Sequence, residues 1–105
     1  MPDEETYPLL HFDEHFEDRA WEVSAKGYYG GLVIELENGL RYTVSFYDPV
    51  RLAQDLQAET QNGRPYIAEQ GMVVISEISE ANMRLAIQKL YEEGWFSHLR
   101  PIQLA

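Results

Sequence analysis

The chain reads as an α+β domain, an antiparallel sheet of about five strands in the order β-β-β-α-β-β-α with two helices packed on one face. Three observations predict it. Apolar and polar residues alternate over 19–26, 32–36 and 40–47, the period of half-buried strands. Asp48-Pro49 and Ser79 each open a stretch with helical apolar spacing. The 105 residues, with 45% hydrophobic content and no cysteine, suit one core of ordinary size that needs no covalent staple.

Residues 1–8 read as a flexible acidic lead-in to a single domain spanning 1–105. Residues 9–18 fit two templates: Leu9, Phe12 and Phe16 at helical spacing, or Leu10, Phe12, Glu14 and Phe16 on one side of a strand. The alternation that follows favours an extended segment. In 19–26, Trp21, Val23 and Ala25 point one way, while Glu22, Ser24 and Lys26 point the other. Gly27 supplies a turn, and Gly30-Gly31 inside the next strand suggests a bulge or a close backbone approach.

Asn38-Gly39 marks a hairpin. A two-residue loop would set apolar residues of one strand against polar residues of the other. A three-residue loop, Glu37-Asn38-Gly39, pairs Leu36 with Leu40, Ile34 with Tyr42 and Leu32 with Val44, and sets Glu35 opposite Arg41. A slip of one residue flips a whole face, so the three-residue loop is the expected one. Asp48 then caps a helix with Pro49 at its first position, carrying the narrow apolar stripe Leu52, Ala53 and Leu56 and ending near residues 59–61. Residues 66–69 and 72–77 read as a second hairpin around Gln70-Gly71, with the doubly apolar 72–75 central in the sheet. Ser79 caps the last helix, residues 80–93, whose inner face is Met83, Ala86, Ile87, Leu90 and Tyr91. Ile78 and Met83 form a hydrophobic staple at its start. Gly94 ends it, and the apolar tail 95–105 is expected to pack.

Charge narrows the function classes. There are 18 acidic and 8 basic residues, a net charge of −10, and the first 18 residues hold seven acids and no base. No basic run exists to displace counterions from a phosphate backbone or to meet an anionic membrane, so neither nucleic acid nor membrane is an expected partner. Without a secretory pattern or a long apolar run, the expected location is cytoplasmic.

His11-Phe12-Asp13-Glu14-His15 is the one metal-like cluster. His11, Asp13 and His15 share a side in a strand, and His11 and His15 lie one turn apart in a helix, but such a set gives at most three ligands. A solvated acidic face that happens to hold two histidines accounts for it better, so no metal or cofactor is expected. Gly27-Tyr28-Tyr29-Gly30-Gly31 leads into a strand and lacks the lysine of a phosphate loop. The serines lack a nucleophile elbow, and the paired acids lie in polar contexts that give no reason for shifted pKa values.

What remains is a set of aromatic and apolar residues away from the predicted core: Tyr28, Tyr29, Tyr47, Leu85, Trp95 and Phe96. Tyrosine and tryptophan are favoured at interface centres. These residues point to an acidic, non-enzymatic protein-interaction module. The expected partner is a protein, either a basic one or a second copy meeting Leu85 with the Trp95-Phe96 tail. The alternative is a small-molecule-binding domain or small enzyme using His11 or His15 beside Tyr42, Tyr47 and Tyr66.

Overall fold

A computed structural model describes residues 6–102. The fold is α+β, with a four-stranded mixed sheet and three α-helices. The elements are β1 (Leu9–His11), α1 (Phe16–Lys26), β2 (Tyr28–Glu35), β3 (Arg41–Tyr47), α2 (Pro49–Gln61), β4 (Met72–Val74), α3 (Glu80–Glu92) and a closing 3-10 turn, Trp95–His98. The strands lie in the order β1-β2-β3-β4. The first three are antiparallel, and β4 runs parallel to β3.

The β2–β3 hairpin has the expected register. Ile34 faces Tyr42, Leu32 faces Val44, and Glu35 faces Arg41, with Arg41 Nη2 donating to Glu35 Oε1 at 3.1 Å. Leu36 N–H donates to Leu40 O at 2.9 Å to close the three-residue loop, where Gly39 has φ +87°. The register shifts between Tyr29 and Leu32, so Gly30-Gly31 does carry a bulge.

Residues 19–26 are helix rather than the expected strand. Alternation over so short a stretch was the misleading signal. Phe16 and Val23, seven residues apart and so on one helical face, are the buried residues of α1. Trp21, expected inside, is 75% exposed. Gly27, in the left-handed conformation, ends the helix by donating to Val23 O and Ser24 O. Of the ambiguous segment, Leu9–His11 is strand, while Phe16 already belongs to α1.

The second hairpin does not form either. Residues 65–69 are irregular, and Met72–Val74 is an edge strand reached through the β3–α2–β4 crossover that parallel pairing requires. Its apolarity on both faces does not place it centrally, because Val73 packs on the core while Val74 stays 45% exposed.

One face of the sheet carries the core. Leu32, Ile34, Leu36, Tyr42, Val44 and Phe46 pack with Phe16 and Val23 of α1, Met83 and Ile87 of α3, and Ile78 and Phe96. The two helices on this face are therefore α1 and α3. Helix α2, expected there, has no buried residue. The caps are as expected: Asp48 Oδ1 accepts from Arg51 N–H at 2.7 Å, and Ser79 Oγ accepts from Asn82 N–H at 3.1 Å. In the tail, Phe96 is core and Ile102 N–H donates to Arg41 O at 2.7 Å. Of the acidic lead-in, residues 1–5 lie outside the described residues, and Pro8 is buried. Among the described residues no helix is long and apolar enough to cross a membrane.

Candidate interaction surface

The face of the sheet away from the core ends in a tyrosine pair. Strand alternation turns Tyr47 to the side opposite Phe46, and the register sets it against Tyr28. The two ring centroids lie 4.9 Å apart. Because Asp48 caps α2 directly after β3, the first turn of that helix stands over the pair. The Arg51 guanidinium lies 5.2 Å from the Tyr28 ring centroid, near enough for a cation–π contact. Arg51 Nε also donates to both carboxylate oxygens of Asp55, at 3.0 and 3.1 Å, and Arg51 Nη1 donates to Lys26 O at 3.1 Å.

The hydroxyl of Tyr47, part-buried at the end of β3, donates to Glu69 Oε1 at 2.9 Å. Its pKa is held well above the ordinary tyrosine value, first by burial, then by the hydrogen bond to Glu69 and the negative charge of that carboxylate. Glu69 belongs to the irregular segment that runs from Arg64 back towards β4. Between this segment and α2 lies an open slot of about 310 Å³, lined by Tyr47, Asp55, Ala58, Glu59, Arg64, Tyr66, Ile67, Ala68 and Glu69. Asp55 is matched by Arg51, and Glu69 is met by an uncharged hydroxyl. The side chains of Glu59 and Arg64 make no hydrogen bond or ion pair among the described residues. Tyr66 is 62% exposed at the rim.

The six residues singled out from the sequence fall in different places. Tyr28 and Tyr47 form the pair just described. Tyr29 packs against Phe12 and Phe16, with centroids at 6.0 and 5.2 Å, and its hydroxyl accepts from Asp13 N–H at 3.1 Å. Phe96 is 3% exposed and packs on Tyr42, so it is core. Trp95 lies half-buried beside it, with centroids 5.2 Å apart. Leu85 is 58% exposed on α3. Sequence reading missed Asp55, Glu59 and Glu69 as a group, and Leu56 and Val74 as exposed apolar neighbours. The one available signal was the narrowness of the α2 stripe, too thin to embed the helix.

The metal-like cluster is divided among separate partners. His11 Nε2 lies 3.0 Å from Glu35 Oε1, His15 Nε2 lies 3.4 Å from Glu14 Oε1, and Asp13 is engaged by Arg19 Nη1 at 3.0 Å. No group of three potential ligands converges among the described residues. His11 does line a second open groove, of about 480 Å³, with Asp13, Arg19, Lys26 and the Gly30-Gly31 bulge. His15 is absent from its lining. Of the aromatic trio proposed around an opening, Tyr47 and Tyr66 line the α2 slot and Tyr42 is core.

No family model matches the chain, and neither a curated protein nor a solved structure matches it.

Proposed function

We propose that this chain is a small, acidic, non-enzymatic module that binds a basic protein partner. The observation that carries the reading is α2, a thirteen-residue helix with no buried residue, beside an open slot and with Leu56 and Tyr66 exposed nearby. An amphipathic helix gains most of its stability by covering its apolar side, so a helix left uncovered is a natural place for another protein to sit. The net charge of −10 favours a basic partner by raising the encounter rate and disfavouring acidic competitors. Neutralisation of a basic toxin or nuclease by occlusion is one activity of this class.

The test is affinity capture from the native lysate, followed by reconstitution with the purified captured protein in a salt series. A basic partner whose association slows as salt rises supports the reading. Binding indifferent to salt, or an acidic partner, sinks it.

A second reading, a small-molecule site beside His11, is favoured by the groove that His11 lines. It predicts that a bound metabolite shifts the His11 ring resonances, and that His11→Ala abolishes its retention.

A further inference from the structure

The slot beside α2 has features that specify what fills it. Its charges are unevenly matched. Arg51 neutralises Asp55 at 3.0 Å, whereas Glu69 receives only the neutral Tyr47 hydroxyl and the Glu59 carboxylate has no ion pair among the described residues. Against Glu59 and Glu69 stands the single cation Arg64. Burial first, and then the hydrogen bond to and charge of Glu69, hold the Tyr47 pKa above its ordinary value, so the hydroxyl stays a neutral donor to Glu69. The rim is apolar. Leu56 lies three residues before Glu59 and so neighbours it on the helix surface, Tyr66 lines the opening, and Val74 pairs in register with Tyr47. A half-enclosed negative slot with an aromatic wall suits a guanidinium or ammonium carried on an apolar stem.

We propose that the slot between α2 and the segment 64–70 is the docking surface for a basic partner protein, which inserts an arginine or lysine side chain between Glu59, Glu69 and the Tyr66 ring while its flanking apolar residues cover Leu56 and Val74. This rests on the interaction-module reading and adds the surface and the chemistry that recognises it. A second copy of the chain is the wrong occupant. Each copy carries a charge of −10, and a self-contact here would set the Glu59 and Glu69 of two molecules against each other.

The experiment is a titration of the 105-residue, nitrogen-15-labelled chain with the peptide acetyl-Leu-Arg-Leu-amide and with its citrulline counterpart, which keeps the shape and loses the charge. The expected result is millimolar binding of the arginine peptide, with shifted amides at Tyr47, in the second half of α2 and in residues 64–69. The citrulline peptide, and the arginine peptide at high salt, should bind about tenfold more weakly. The paired substitutions Glu59→Gln and Glu69→Gln should weaken binding by a similar factor, with the amide spectrum away from the slot unchanged. Equal binding of both peptides overturns the proposal, and so does concentration-dependent self-association mapped to the slot. Shifts confined to another face overturn the placement and leave a basic partner standing. If the peptide perturbs nothing but a captured basic protein still binds, the slot assignment fails and the module reading survives. If neither binds, both fail.

Discussion

At the scale of single residues, two glycines in the left-handed region distinguish conformational strain from steric exclusion. Gly31, in the bulge, has φ +72° and open space where a Cβ would stand. Gly71, before β4, has φ +78°, and a Cβ there would press into the backbone carbonyl oxygen of Thr43. Gly31→Ala should therefore lose about 1–2 kcal/mol of stability, the ordinary penalty for a left-handed L-residue. Gly71→Ala adds a backbone collision and should lose at least twice as much, as urea denaturation of both variants would show. Tyr47 supplies a pH dependence. Its phenol is neutral when protonated, and folding raises its pKa above the ordinary value near 10. Its contribution to stability is then complete below about pH 10 and is lost as the pH climbs beyond that. Tyr47→Phe should flatten the alkaline limb of the stability curve and remove the late component of a tyrosinate absorbance titration.

At the scale of elements, α2 and α3 are both thirteen-residue helices with side-chain N-caps, yet they stand differently towards the core. Ile87 of α3 is fully buried, and Ile87→Ala should destabilise by ~2–5 kcal/mol. Leu56 of α2 is 39% exposed, and Leu56→Ala should stay within about 1 kcal/mol. Equal losses in thermal melts would show that α2 is held more firmly than its burial indicates. The same elements show what was legible from sequence. The hairpin loop followed from the matching of Leu32, Ile34 and Leu36 with Leu40, Tyr42 and Val44, because a wrong register would have buried Thr43 and Arg41. The helix starts at Asp48 and Ser79 followed from local capping chemistry, which needs no tertiary information. Helix α1 was hidden because Trp21, its most apolar-looking residue, faces solvent, while its true anchors are only Phe16 and Val23. The parallel pairing of β4 was hidden because direction is set by a crossover and leaves no mark in a three-residue strand. The candidate site was less legible still. Tyr28 and Tyr47 were visible as aromatics, but the carboxylates beside them come together only when the segment 64–70 folds back along α2.

At the scale of the whole molecule, charge is the dominant feature. With 18 acids against 8 bases, self-repulsion works against the compact state, while the ion pairs among the described residues are largely exposed and weak. Added salt screens the repulsion over a distance of ~10 Å at 0.1 M. The melting temperature should therefore rise between low and moderate sodium chloride, a direction that scanning calorimetry would establish. A falling melting temperature would mean that attractive pairs such as Arg41–Glu35 and Arg19–Asp13 outweigh the net charge.

The crossover between β3 and β4 also orders events in time. The β2–β3 hairpin closes over three residues, whereas β4 can reach β3 only after Tyr47 and Met72 are brought together across all of α2 and the segment behind it. Closing the longer loop loses more chain entropy, and only a three-residue parallel strand returns the gain. Truncations at Ile34 and Val44 should slow folding, while truncation at Val73 should mainly speed unfolding, as a chevron analysis would resolve. The slot beside α2, walled by residues on both sides of that crossover, is complete only once the longer loop has closed.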